Sequence, residues 1–119
     1  MTFDALPAVD VVEAERRLRE DPEPPLLVDV REPSEFLAVR APGAVLIPTS
    51  EFAARVGELP ADRPLLVVCH LGGRSAAVVG FLQRAGRQAT NVDGGMDAWE
   101  RAGLPVNRGA LAPGEGQLP

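Results

Sequence analysis

Lysine is absent from this chain of 119 residues, and cysteine and histidine each occur only once. Without lysine, the chain has neither a residue for Schiff-base chemistry nor the phosphate-binding lysine of a P-loop. The single cysteine, Cys69, excludes an intramolecular disulfide. One cysteine and one histidine, His70, are too few ligands for a zinc site of the usual Cys/His kind, so we expect neither a metal nor a cofactor.

Positive charge is scarcer than negative charge. The net charge is −5 and the pI is about 4.8, which opposes binding to nucleic acid or to an anionic membrane. No apolar run approaches the roughly 20 residues that span a bilayer. The first residues, Met1 to Asp4, lack a basic segment followed by an apolar one, so we predict no signal peptide and a cytoplasmic protein. We expect one domain and a monomer.

Strand-like and helix-like segments alternate along the chain. The apolar runs Leu26–Val30 and Leu65–Cys69 are typical of strands buried on both faces, and shorter runs at 45–47 and 89–92 predict two more. Such alternation predicts an α/β fold with a central, mostly parallel sheet of about five strands and helices on both faces. Helix starts are predicted at Asp10, Pro33, Ser50, Ser75 and Met96, and residues 107–119 are predicted to form a flexible tail.

Cys69 opens a six-residue loop, Cys-His-Leu-Gly-Gly-Arg, between a predicted strand and a predicted helix. In parallel sheets, ligands gather at the carboxyl ends of the strands, where Cys69 lies. The backbone N–H groups of a short loop and of a helix N-terminus favour a thiolate and hold an anion beside it. Gly72 and Gly73 allow the backbone to turn these groups inward. We therefore predict that Cys69 is the nucleophile of a sulfur-handling site.

The neighbours of Cys69 are predicted to contact the substrate. Arg74 is suited to grip an oxyanion such as a sulfonate. His70 is interpreted as a residue at the rim of the site, with a Cys–His dyad as the alternative. Ser75 either contacts the substrate or caps the next helix, and capping is the preferred interpretation. The substrate-binding set is His70, Leu71, Gly72, Gly73, Arg74 and Ser75.

Three further residues near the predicted site each have two interpretations. Asp29 and Arg31 end the first long strand and either contact the substrate or form a structural ion pair, which is the preferred interpretation. Trp99 either walls the pocket or packs in the core. The double glycine Gly94–Gly95 is interpreted only as a turn from a strand to a helix.

Four segments of the chain form a recognisable set: residues 29–36 (Asp-Val-Arg-Glu-Pro-Ser-Glu-Phe), 42–48, 68–75 and 91–106. Together, and in this order, they resemble the rhodanese-like sulfurtransferase family. One departure is visible, because Val39 and Arg40 stand where the family often has Gly-His. The resemblance implies a single rhodanese-like domain over residues 1–106, with residues 107–119 outside it.

The resemblance also implies a persulfide mechanism. The Cys69 thiolate would attack the outer sulfur of a small donor such as thiosulfate and expel sulfite. The resulting persulfide would pass its sulfur to a thiol, to cyanide or to a protein acceptor. A rhodanese-type module that only binds or relays sulfur for a partner protein is the alternative.

Loop length bears on a third interpretation, a phosphatase or an arsenate reductase. Four residues lie between Cys69 and Arg74. The related dual-specificity phosphatases of the cell-cycle type have five, which widens the cradle enough for a phosphate. The shorter loop favours sulfur over phosphate.

Overall fold

Five parallel strands form the centre of the computed structural model, which describes residues 6–119. The strands lie in the order β1-β5-β4-β2-β3, and the two long central strands are paired so that Asp29 lies opposite Val68. Their carboxyl ends therefore meet at one edge of the sheet. The strands are β1 (Ala8–Val9), β2 (Leu26–Asp29), β3 (Val45–Leu46), β4 (Leu65–Val68) and β5 (Ala89–Val92).

Helices cover both faces of this sheet. Alternate residues of β4 enter two different cores: Leu65 and Val67 pack with the face that carries α3 and α4, and Leu66 and Val68 with the face that carries α1 and α5. The predicted α/β fold with helices on both faces is confirmed. The helices are α1 (Val11–Glu20), α2 (Pro33–Ala38), α3 (Thr49–Arg55), α4 (Gly73–Arg84) and α5 (Gly95–Arg101), and a 3₁₀ turn spans Val56–Glu58.

Element boundaries differ from the sequence-based expectations by one or two residues. Helix α3 begins at Thr49 after Pro48, so the expected cap at Ser50 is wrong. The expected cap at Asp10 is confirmed, because its carboxylate accepts a hydrogen bond from the Glu13 N–H at 2.8 Å. The short edge strand β1 was not predicted, because its two residues form no recognisable apolar run.

Across residues 6–119, no helix is long and apolar enough to cross a membrane. Residues Met1–Asp4, on which the signal-peptide prediction rests, lie outside the described part.

The C-terminal segment, residues 107–119, contacts the rest of the domain at several points. Arg40 is 2% exposed and pairs with Glu115 through Nε–Oε2 at 2.5 Å and Nη2–Oε1 at 2.9 Å. The Leu46 N–H donates to the Gly116 carbonyl at 2.8 Å, and Leu118 packs against one of the two cores. A buried guanidinium requires acceptors, and this segment supplies them to Arg40.

Candidate active site

The thiol loop begins immediately after β4. Cys69 is 1% exposed and its side chain joins the core beneath α3 and α4. The loop runs into α4, whose N-cap residue is Gly72 with a φ of 109°. A positive φ of this size favours glycine, so Gly72 is required by the backbone at the point where the loop becomes helix.

Two hydrogen bonds reach the sulfur of Cys69. The Gly72 N–H donates to Sγ at 3.1 Å, and the Ser75 hydroxyl lies 3.2 Å from the same atom. Ser75 is wholly buried in the first turn of α4, and its hydroxyl also lies 3.2 Å from the Gly72 carbonyl. The preferred interpretation of Ser75 as a helix cap is wrong, because α4 begins two residues earlier and the hydroxyl faces the thiol.

The environment of Cys69 shifts the ionisation of its thiol. Burial raises the pKa and is the largest single influence on it. Hydrogen bonds act in the opposite direction, with the Ser75 hydroxyl contributing most and the backbone N–H groups of Ser75, Gly72 and Leu71 following. Together they exceed the effect of burial, so the pKa of the thiol lies below its usual value. The loop is therefore built to hold a thiolate.

The first two carbonyl groups of the loop, those of Cys69 and His70, are bound by the start of α5. The Met96 N–H donates to the Cys69 carbonyl at 2.8 Å, and the Asp97 N–H donates to the His70 carbonyl at 3.0 Å. Gly95 lies against both carbonyls, with a φ of 59°, and a Cβ built on it would meet the Cys69 carbonyl oxygen at 2.5 Å. A peptide carbonyl and its N–H point in opposite directions. Because α5 binds these carbonyls on one side of the loop, the N–H groups of the loop are directed towards the sulfur on the other side.

Asn91, at the end of β5, supports the same loop from the side. Its Nδ2 donates to the Gly72 carbonyl at 3.3 Å and to the Asp93 carboxylate at 3.1 Å. Its Oδ1 is buried and has no hydrogen-bond partner among residues 6–119. Leaving such an acceptor unpaired costs about 1–3 kcal/mol. Asn91 is not among the site residues that the sequence predicts, although it lies in β5 three residues before the double glycine Gly94–Gly95.

Arg74 is held by a carboxylate that the sequence analysis did not identify. Its two terminal nitrogens donate to the two oxygens of Glu35, at 2.7 and 2.9 Å. Glu35 lies in α2, 39 positions earlier in the chain, and its Oε1 also accepts from the Glu32 N–H at 3.0 Å. Hydrogen bonding to Arg74 lowers the pKa of Glu35 to about 2. The pair joins the helix after β2 to the helix after β4.

Asp29 and Arg31 form a buried ion pair at the end of β2. The Arg31 Nη2 lies 2.8 Å from the Asp29 Oδ2, and the side chains are 2% and 0% exposed, respectively. The same nitrogen donates to the Val39 carbonyl at 2.6 Å. Arg31 thus joins the strand to the segment that follows α2.

The remaining candidates lie outside the thiol loop or at its surface. His70 is exposed, and Leu71 is 66% exposed, the largest value among the large apolar residues of the described range 6–119. Trp99 is 1% exposed in the core on the α1 and α5 face, where its Nε1 donates to the Pro105 carbonyl at 2.9 Å. These contacts support the interpretation of Trp99 as a core residue.

Two depressions on the surface differ in their relation to the loop. The larger, about 500 Å³, lies at the amino edge of the sheet between Arg17, Pro64 and Gln88. The smaller, about 360 Å³, is an apolar groove between α3 and α4 that Arg74 borders. Only the smaller one shares a residue with the thiol loop. Within the described part of the chain, no three His, Cys, Asp or Glu side chains are grouped so as to hold a metal.

The sequence that places this thiol loop at the carboxyl edge of the sheet matches a protein-family model over most of its length. That model is the rhodanese-like domain, and it matches residues 10–102. The chain belongs to the rhodanese-like domain family. A rhodanese-related protein from Thermoplasma volcanium has the same fold, with a TM-score of 0.79, 30% identity, and coverage of 85% of this chain and 97% of that one.

Several of the curated relatives carry names that refer to sulfur transfer. A protein from Allochromatium vinosum named sulfurtransferase is 37% identical over 87 residues, which cover 72% of this chain and 81% of that protein. The thiosulfate sulfurtransferase GlpE of Vibrio cholerae is 33% identical over 81 residues, covering 67% and 76% of the two chains.

Proposed function

We propose that this rhodanese-like domain is a sulfurtransferase that carries sulfur on Cys69. Membership in the family and the sulfurtransferase names of its relatives support a role in sulfur transfer. The observation that carries the proposal is the Cys69 sulfur beneath the Gly72 N–H and the Ser75 hydroxyl. Such donors stabilise a thiolate before the reaction and a terminal sulfur anion after it.

The proposed reaction has two displacements on sulfur. The Cys69 thiolate attacks the outer sulfur of a donor, the sulfur–sulfur bond of the donor breaks, and the leaving group departs with the electron pair. With thiosulfate the leaving group is sulfite; with an organic persulfide it is a thiolate. A thiol, cyanide or a protein acceptor then takes the outer sulfur and regenerates the thiolate. No oxidant or reductant is consumed.

Intact-mass measurement tests this proposal directly. The protein is incubated with thiosulfate and, separately, with an organic persulfide, and its mass is compared before and after. We expect a gain of one sulfur atom that is reversed by cyanide or excess thiol. Cys69→Ser is expected to show no gain, because a hydroxyl at this position forms no persulfide.

Two results contradict the proposal. One is an unchanged mass of the wild-type protein with every donor, which would mean that the thiol does not accept sulfur. The other is a sulfur gain that persists in Cys69→Ser. Ser50→Ala, which alters an exposed serine of α3, serves as the matched control and is expected to load like the wild type.

A further inference from the structure

The charges beside the thiol loop are balanced in pairs. Arg74 faces Glu35, and the nearby Arg31 faces Asp29 at the end of the adjacent strand. Each arginine therefore has its own carboxylate. An anionic donor that approaches the Cys69 thiolate meets no uncompensated positive charge from these four groups, and the chain as a whole has a net charge of −5.

Glu35 is the carboxylate that offsets the charge of Arg74. Its two oxygens bind both terminal nitrogens of Arg74, and its Oε1 also accepts the Glu32 N–H. The carboxylate is thus fixed from two directions, by the N–H of Glu32 just before α2 and by the guanidinium of Arg74 in α4. Bidentate pairing of this kind sets the orientation of the guanidinium as well as offsetting its charge.

Arg74 lies in the first turn of α4, one residue before Ser75, whose hydroxyl is 3.2 Å from the Cys69 sulfur. Its pKa is raised, chiefly by the hydrogen bonds to Glu35 and to a smaller degree by the negative charge of Cys69. The side chains of Arg74 and Glu35 are 39% and 32% exposed, so a dissolved donor reaches them. The guanidinium keeps N–H groups that Glu35 does not use, and these can hydrogen-bond an oxygen without supplying a net charge.

We propose that Glu35 determines the donor class of this site by neutralising Arg74, so that Cys69 is loaded from organic sulfane donors with at most one negative charge in preference to dianionic thiosulfate. The inference rests on the proposed function, since it concerns the donor of the same thiol. Glu35 acts through Arg74 and is a specificity-determining residue, not a catalytic one.

Thiosulfate and methanethiosulfonate form a matched pair of donors for this test. Both deliver their outer sulfur to a thiolate by the same displacement: thiosulfate releases sulfite, and methanethiosulfonate releases methanesulfinate. A methyl group replaces one charged oxygen, so the donors carry two and one negative charges and have similar size. The electrostatic free energy between an unpaired Arg74 and a donor is proportional to the charge of the donor. If the Arg74 charge is uncovered, the fold-change in the loading rate for thiosulfate should therefore be the square of the fold-change for methanethiosulfonate.

Glu35→Gln leaves the positive charge of Arg74 uncompensated. We expect the second-order rate of Cys69 loading to rise about tenfold for thiosulfate and about threefold for methanethiosulfonate. The gains should shrink as ionic strength rises towards 1 M, where the screening length falls to about 3 Å. In the double variant Glu35→Gln/Arg74→Gln, the ratio of the two rates should return close to that of the wild type.

Glu20→Gln is the matched control. Glu20 ends α1, pairs with Arg16 and Arg19, and lies at the opposite edge of the sheet from the thiol. This variant removes the same charge from the molecule, and we expect its two loading rates to stay within about twofold of the wild type. It separates the effect of Glu35 from the change in net charge.

Equal effects of Glu35→Gln on the two donors, or a gain that survives in the double variant, would overturn the inference. The wild type gives a second measurement that depends on no variant. If Arg74 is neutralised, thiosulfate loading rises with ionic strength; a steep fall would show that Arg74 attracts the dianion despite Glu35. A wild type that loads from neither donor nor from a persulfide contradicts the proposed function itself, and the inference with it.

Discussion

Single residues decide whether Cys69 is a reactive thiolate or a buried, inert thiol. Burial alone disfavours the charged sulfur, and the Gly72 N–H and the Ser75 hydroxyl reverse that effect. Ser75 donates from inside α4, and the backbone of the helix holds it in place. The site that stabilises the thiolate therefore includes Ser75 of α4 as well as the glycine loop.

Replacing Ser75 with alanine removes the hydroxyl donor and keeps the helix. The pKa of Cys69 should rise towards its usual value, because burial is then opposed only by backbone N–H groups. We expect alkylation of Cys69 by iodoacetamide at pH 7 to slow about five- to tenfold. At a pH where both proteins are fully ionised, the two rates should converge. An equal slowing at every pH would instead indicate a loss of access.

At the scale of elements, the short helix α5 shapes a loop that precedes it by more than 20 residues in the sequence. The Met96 and Asp97 N–H groups bind the carbonyls of Cys69 and His70, and Gly95 allows the two backbones to approach. From the sequence, Gly94–Gly95 was interpreted only as a turn from a strand to a helix, and its contact with the thiol loop was not predicted. In the structure, Gly95 is also a contact surface for the thiol loop.

Gly95→Ala tests this contact. The added Cβ would overlap the backbone carbonyls of Cys69 and His70, which cannot rotate away as a flexible side chain would. We expect a loss of about 3 kcal/mol or more in the free energy of unfolding and a loss of sulfur loading. Denaturant titration and intact-mass measurement check the two effects.

Gly103→Ala is the matched control for that variant. Gly103 follows the same helix with a φ of 70°, and a Cβ there would meet nothing within 4 Å. It should cost only about 1–2 kcal/mol, from backbone strain alone, and should leave loading intact. Similar behaviour of the two variants would show that strain, and not the contact with the loop, explains the effect of Gly95→Ala.

At the scale of the whole molecule, ion pairs tie α2 and the residues after it to distant parts of the chain. Glu35 pairs with Arg74 of α4, and Arg40, just after α2, pairs with Glu115 of the C-terminal segment. Gly116 lies against Phe36 between them, where an added Cβ would be 3.0 Å from the ring. Helix α2 and the residues just after it therefore contact both α4 and the last residues of the chain.

These pairs predict an acid-dependent stability. Hydrogen bonds to Arg74 and to Arg40 lower the pKa values of Glu35 and Glu115, respectively, each to about 2, from an ordinary value of 4.5. Between these limits the unfolded chain binds more protons than the folded one, so stability falls as the pH is lowered. The contribution of both pairs is complete above about pH 4.5 and is lost as the pH approaches 2.

The double variant Glu35→Gln/Glu115→Gln should show a shallower loss of stability over the same pH range. Its melting temperature should lie below that of the wild type at pH 7, and the difference should disappear near pH 2. Glu51→Gln/Glu58→Gln, which alters two exposed carboxylates that pair with Arg55, is the control. A constant difference between wild type and double variant at all pH values would contradict the prediction.

The sequence by itself determined the alternation of strands and helices, the sheet with helices on both faces, and Cys69 as the predicted nucleophile. These features follow from local apolar periodicity and from one loop of six residues, which are readable without knowing what lies nearby. The family resemblance drew on segments that are contiguous in the chain. For the same reason, the buried partner of Asp29 was found two positions away, at Arg31.

Only the tertiary structure decided which residues the thiol loop and the C-terminal segment contact. Glu35 lies 39 positions from Arg74, and Glu115 lies 75 positions from Arg40. Neither carboxylate carries a local signal that identifies its distant partner. The contacts exist because parallel strands bring the ends of distant segments to one edge of the sheet, and because a buried guanidinium must find acceptors wherever the fold places them.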